Sequence, residues 1–137
     1  MFTKIDHIAI AVDNLEDSIQ LYETRFHAKV VHREFIEHDG VDIAVIEVGD
    51  TSIELVEGKS AQSPIRKFVQ TKGPGIHHIA FEVEDIRAAL AELKGKSLAL
   101  IDDEPRRGKE GSLVAFIHPK STQKILYELV EKKSSNE

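Results

Sequence analysis

Residues 4–15 read K-I-D-H-I-A-I-A-V-D-N-L, and residues 75–86 read G-I-H-H-I-A-F-E-V-E-D-I. At an offset of 71 the two stretches align His7 with His78, Ile8 with Ile79, Ala9 with Ala80, Val12 with Val83 and Leu15 with Ile86. A second pair closes each half: S-I-E-L-V-E around Glu54 and L-Y-E-L-V-E around Glu128, at an offset of 74. The chain is thus a duplicated unit, and a repeat of this length decides the architecture before any single element is read.

Residues 4–12 alternate, with Ile8, Ile10 and Val12 on one face and His7, Ala9 and Ala11 on the other. Residues 77–83 repeat the pattern, with His78 and Ala80 opposite Ile79, Phe81 and Val83. A helix follows each strand. Leu15, Ile19, Tyr22 and Phe26 make an apolar stripe behind an Asp13 or Asn14 cap; Ile86, Leu90 and Leu93 repeat it behind Glu84 or Asp85, with Gly95 at its end. Further strands are predicted at 29–36, 41–47 and around Glu54, and at about 97–103, 112–118 and around Glu128. Gly49-Asp50 is a tight hairpin in the first half, and the longer 119–123 loop replaces it in the second. Ser63-Pro64 starts a linker helix of about residues 63–72, which ends at Gly73-Pro74-Gly75. The tail 132–137 is expected to fray.

The expected fold is α+β: two β-α-β-β-β modules, about 3–58 and 75–131, within one domain spanning 1–137. Their sheets form a cupped half-barrel around a metal site, with helices outside. Strand parity carries the site. If the helices cover the Ile8 and Ile79 faces, then His7, His78, Glu54 and Glu128 point to the opposite, concave face. A single strand histidine or glutamate is usually structural. Four at repeat-equivalent positions are the imidazoles and carboxylates that suit a divalent cation, and such a cation offsets the cost of burying the acids. His77 falls on the helix side, while His27, His32 and His38 lie in or near loops and a helix end; none takes a role. The Gly108–Gly111 turn is too short for a phosphate loop, and of the two readings of Arg106-Arg107, contact with an anionic substrate or a surface basic pair, the second is expected.

The bulk properties narrow the classes. The chain has 137 residues, 41% hydrophobic and 31% charged, so it can bury a real core. A net charge of −6 argues against nucleic acid. The absence of cysteine excludes disulfides, thiolate metal sites and cysteine nucleophiles. No apolar run approaches the roughly 18 residues of a membrane span, and no secretory signal is read, so a cytoplasmic protein without a membrane partner is expected.

These residues resemble the vicinal oxygen chelate superfamily, which includes glyoxalase I, extradiol dioxygenases, methylmalonyl-CoA epimerase and antibiotic-resistance proteins. The resemblance covers about residues 3–131 and is nearest to the methylmalonyl-CoA epimerases. The stretches that carry it are K-I-D-H-I-A-I-A-V, S-P-I-R-K-F-V-Q-T-K-G-P-G-I-H-H-I-A-F-E-V, D-E-P-R-R-G at 103–108, F-I-H-P-K-S-T at 116–122 and L-Y-E-L-V-E. It implies one divalent ion per chain, Co, Zn, Ni or Mn, held by His7, Glu54, His78 and Glu128. It also implies inversion of the α-carbon of methylmalonyl-CoA, or a similar acyl-CoA, by proton transfer through a metal-chelated enolate, and a homodimer. Glu128, and with it Glu54, would move the protons. A carboxylate that some relatives add for this purpose falls on Ile43 here, which leaves neighbouring Asp42, or Glu110, as a fallback base. Two loops depart from the family: Gly108-Lys109-Glu110-Gly111 stands where G-x-H-G is usual, and Gln123-Lys124 where a glycine pair is usual. The alternatives are a glyoxalase I-type lactoylglutathione lyase and a non-catalytic small-molecule or drug-binding protein of the same fold.

Overall fold

The structure is a computed structural model and describes residues 1–134. The chain divides into two compact units: His7–His77, and Met1–Asp6 together with the residues from His78 onward. Part of the expected frayed tail, residues 135–137, lies outside the described residues.

The elements of the first half are β1 (Lys4–Ala11), α1 (Leu15–Phe26), β2 (Val30–Ile36), β3 (Val41–Val48), β4 (Thr51–Gly58) and α2 (Pro64–Lys72). β1 runs parallel to β4, β4 antiparallel to β3, and β3 antiparallel to β2. The second half has β5 (Gly75–Glu82), α3 (Ile86–Gly95), β6 (Arg106–Arg107), β7 (Leu113–Ile117) and β8 (Tyr127–Glu131). β5 runs parallel to β8, β8 antiparallel to β7, and β7 antiparallel to β6. Each half therefore follows the β-α-β-β-β order of the repeat. The strand expected at 97–103 does not form; Leu100 makes an isolated bridge to Ile117, and β6 is two residues long. Pro105 has no N–H for a ladder, and Asp102 turns its Oδ2 to accept from Phe116 N–H at 2.8 Å. The apolar residues of that stretch, Leu98 and Leu100, still pack on the α3 core.

Local chemistry starts the helices as the sequence indicates. Asn14 Oδ1 accepts from Asp17 N–H, and Asp85 Oδ1 from Ala88 N–H, each at 3.0 Å. Each module helix has a second tether. Glu57 Oε1 accepts from Leu15 N–H at 2.7 Å, and Glu131 Oε1 from Ile86 N–H at 3.0 Å. These are the final glutamates of the two L-V-E triplets, so the last strand of each repeat holds the first turn of its own helix. The helices then bury repeat-equivalent anchors, Leu15 against Leu55, Ala44 and Ile46, and Ile86 against Leu129 and Ala115. Both anchors are essentially inaccessible, and truncating either to alanine would cost about 2–5 kcal/mol.

The linker helix does more than connect. Ser63 Oγ caps α2 at Arg66 N–H, and Ile65, Phe68 and Val69 pack on Ala9, Ala11, Val41, Ile43 and Val56. α2 thus covers part of the β1–β3–β4 face opposite α1. Gly58 permits that approach, since a Cβ there would lie 2.6 Å from Arg66 N. In the other unit Phe2 stacks on Phe81 at 3.9 Å between centroids, and Thr3 N–H donates to Glu82 O at 2.9 Å. Among the described residues no helix is long and apolar enough to cross a membrane.

Candidate metal centre and active site

Parity within each sheet places the four predicted residues. In the first unit Ile10, Ile53 and Leu55 join the α1 core, which turns His7, Ala9 and Glu54 to the other face. Ala9 lies beside Glu54 in the parallel register, and His7 Nδ1 is 3.2 Å from Glu54 Oε2. In the second unit Phe81, Tyr127 and Leu129 join the α3 core, leaving His78, Ala80 and Glu128 opposite. Ala80 lies beside Glu128 in the same register, and His78 Nε2 is 3.5 Å from Glu128 Oε1. The duplication therefore reproduces the strand register as well as the residues.

The four side chains are buried: His7 is 4% exposed, Glu54 6%, His78 8% and Glu128 7%. Burying an ionised carboxylate is costly unless a cation or donor faces it, and an imidazole beside each one supplies a neighbouring ligand atom. All four residues fall in groups able to hold a metal ion. The donor set fits a borderline divalent cation, with imidazole nitrogen and carboxylate oxygen and no thiolate.

The second unit adds a layer on the His78–Glu128 face, in which Arg106 departs from the surface-pair expectation. Arg106 pairs with Val114 across β6 and β7, and Phe116 with Glu128 across β7 and β8, so Arg106, Val114, Phe116 and Glu128 share one face. The Phe116 ring meets His78 edge-on at 5.0 Å, and the Arg106 guanidinium lies 5.6 Å from the centroid of the same ring. Asp102 Oδ1 approaches Arg106 Nε at 3.6 Å. Arg106 is thus not half of a surface basic pair; its side chain is 22% exposed and lies on the His78 face, while Arg107 is exposed. The signal in the sequence was parity, with Arg106 two strands from Glu128, but it depended on a β6 register that no local pattern specifies.

The remaining predicted residues sort as follows. Asp42, a fallback base, sits beside Ile43 and is turned by alternation to the α1 side; Glu110, the other, is exposed in a 3-10 turn at φ 54°. His77 packs edge-on against Phe68 of α2 at 5.1 Å, a structural role. His27 is the left-handed C-cap of α1. His118 Nδ1 accepts from Lys120 N–H and shapes the 119–121 turn. His32 lies inside β2, within the strand expected at 29–36. Asp6, to which the sequence reading gave no role, is buried with its Oδ1 3.1 Å from Lys132 Nζ.

Residues 6–116 match the glyoxalase/bleomycin resistance protein/dioxygenase superfamily, and the chain belongs to it. Within that class several relatives are named epimerases. It is 41% identical over 132 residues to the mitochondrial methylmalonyl-CoA epimerase of Dictyostelium discoideum, covering 94% of this chain and 78% of that one. The crystal structure of methylmalonyl-CoA epimerase from Mycobacterium tuberculosis superposes with a TM-score of 0.94 at 33% identity, over 98% of this chain and 91% of the other. A variant of the Streptomyces coelicolor methylmalonyl-CoA epimerase in complex with 2-nitronate-propionyl-CoA superposes with a TM-score of 0.93 at 34% identity, over 98% of this chain and all of the other. The vicinal oxygen chelate fold expected from the sequence is thereby established.

Proposed function

We propose that this chain is a metal-dependent epimerase that inverts the α-carbon of methylmalonyl-CoA or a closely similar acyl-CoA. The observation that carries the reading is the pair of buried imidazole–carboxylate couples, His7–Glu54 and His78–Glu128, delivered at the same strand register by both repeats. Relatives bearing the epimerase name, and one bound to a nitronate analogue of a propionyl thioester, support the choice of substrate.

In this reading the four residues together hold one divalent ion, Co, Zn, Ni or Mn. When bound, the ion supplies Lewis-acid stabilisation to negative charge developing on the thioester oxygen. The residues themselves do the rest. His7 and His78 contribute neutral ligands, so that with Glu54 and Glu128 the set balances a divalent charge. Glu128 exchanges a proton with the α-carbon, and a second group serves the opposite side, as inversion requires. Arg106, held over Phe116, offers a cation on the His78–Glu128 face to an anionic substrate. The protein acts in the cytoplasm as a homodimer; a monomer by light scattering at micromolar concentration would refute that assembly.

The deciding experiment incubates the metal-loaded protein with methylmalonyl-CoA in deuterated water and follows deuterium at the α-carbon. A glutathione–methylglyoxal assay runs beside it. Rapid exchange with no lactoylglutathione formation is the expected outcome. Lyase activity without exchange would replace the reading with the glyoxalase alternative, and inactivity in both assays would favour a binding protein.

A further inference from the structure

The two repeats surround their imidazole–carboxylate couples differently. Val45 and Phe116 occupy equivalent positions at the offset of 71. Each pairs across the ladder with the closing glutamate of its repeat, Val45 with Glu54 and Phe116 with Glu128. The first repeat thus sets a small aliphatic side chain there, and the second sets an aromatic ring. That ring meets His78 edge-on, at 5.0 Å between centroids and with an interplanar angle of 90°. Edge-to-face packing is directional, so each ring limits the other's orientation.

The main chain of these two residues is also held differently. Val45 lies in a full ladder, paired on its outer side with His32 of β2. The second repeat has no such strand at this point, and β6 reaches only Val114 and Leu113. Residues 101 and 102 grip Phe116 instead. Its carbonyl accepts from Ile101 N–H at 2.9 Å and from Asp102 N–H at 3.2 Å. Its N–H donates to Asp102 Oδ2 at 2.8 Å. The Asp102 side chain therefore supplies the acceptor that the carbonyl of a neighbouring strand would provide. Asp102 Oδ1 lies 3.6 Å from Arg106 Nε, and the Arg106 guanidinium lies over the Phe116 ring at 5.6 Å from its centroid. One carboxylate thus ties down both the backbone of Phe116 and the cation that covers its ring. With the Asp102 side chain 19% exposed, these contacts form largely out of solvent.

We infer that Asp102 is a positioning residue for the metal centre, which acts through Phe116 to fix the His78 imidazole toward Glu128. The inference rests on the metal-dependent reading and adds the layer that orients one of its ligands. His78 Nε2 lies 3.5 Å from Glu128 Oε1. A histidine side chain turns about two torsions, and a change of rotamer carries that nitrogen away from the carboxylate. The Phe116 ring restricts the turn, and Asp102 keeps the ring in register with Glu128. Groups that orient metal ligands are typically worth about 10- to 100-fold in metal affinity.

The test titrates cobalt(II) into the full-length, metal-free parent, D102A, D102N, F116L and the D102A/F116L double variant. Competition with a chelator reads the affinity, and the visible absorption of the bound ion reads the ligand arrangement. D102A and F116L are each expected to lose affinity by about 10-fold or more and to alter the spectrum. D102N keeps an amide oxygen for the Phe116 N–H, so it stays within about threefold of the parent and keeps the parent's spectrum. The double variant binds no more weakly than F116L alone, because Asp102 acts through the ring. Thermal unfolding of each metal-free form shows which variants are folded. An unchanged affinity and spectrum in folded D102A overturns the inference, as does a D102N as weak as D102A. Losses from D102A and F116L that multiply in the double variant also overturn it. Should D102A fail to fold, parent-like binding by F116L overturns it. A parent that binds no cobalt overturns the metal reading and this inference together. A parent that binds cobalt yet leaves the α-proton of methylmalonyl-CoA unexchanged overturns the epimerase reading alone.

Discussion

Replacing Glu57 tests whether the last strand of a repeat anchors its own helix. The Glu57 carboxylate accepts from Leu15 N–H at 2.7 Å and lies 2.9 Å from Lys59 Nζ, with its side chain 18% exposed. Burial raises its pKa, but the Leu15 hydrogen bond and the neighbouring Lys59 outweigh burial and hold it below the ordinary value of 4.5. A hydrogen bond to a charged group contributes about 1.5–3 kcal/mol, and a carboxylate at a helix N-terminus about 0.3–1. These two figures describe overlapping effects, and solvent reaches part of the group, so the low end applies. Glu57→Ala should cost about 2 kcal/mol. Glu57→Gln, which keeps an acceptor and loses the charge, should cost about 0.5–1 kcal/mol. For a chain of this size the alanine variant corresponds to a fall in Tm of about 6–8 °C. The pH dependence follows from the direction of the shift. A carboxylate with a lowered folded-state pKa contributes its full stability above the unfolded value and loses it as pH falls through the folded one. Urea unfolding of parent and Glu57→Gln should therefore differ at pH 7 and converge near pH 3. Equal stability at pH 7, or a gap that persists unchanged at pH 3, would refute the anchoring role. Glu131→Gln probes the equivalent contact to Ile86 in the second unit.

Three further outcomes are expected. His78→Ala should purify with far less bound metal than the parent, read by elemental analysis; equal content would remove His78 from the ligand set. Glu128→Gln should retain some metal through its amide oxygen yet lose α-proton exchange by about 10² or more at saturating metal, with Glu54→Gln milder, and near-normal exchange in Glu128→Gln would exclude Glu128 as a proton carrier. Gln123 and Lys124 are consecutive left-handed residues, at φ 58° and 75°, a conformation that glycine adopts without strain. Gln123→Gly should therefore raise stability by about 1 kcal/mol in urea unfolding, and destabilisation would show that side-chain contacts outweigh the backbone strain.

The sequence by itself determined the features that depend on short-range rules. Alternation turned His7, His78, Glu54 and Glu128 away from the faces that α1 and α3 cover, because a strand's period of two needs no partner to operate. The caps were legible to within a residue, as Asp13 or Asn14, Ser63, and Glu84 or Asp85, since a cap acts within three residues of itself; the structure selects Asn14, Ser63 and Asp85. Tertiary structure decided what depends on pairing between distant segments. β2 pairs Val30 with Ile46 and then His32 with Val45, so a bulge at Val31 shifts the parity of the rest of that strand, and only the register against β3 reveals it. Arg106 was misread for the same reason: two residues of β6 take their orientation from Val114, not from their own neighbours. Glu57 and Glu131 each reach a helix N-terminus more than forty residues away in sequence, a contact that no local pattern specifies. Local alternation specifies which residues share a face along one strand. The hydrogen-bonded register between strands, set by the whole core, determines which of those faces meet.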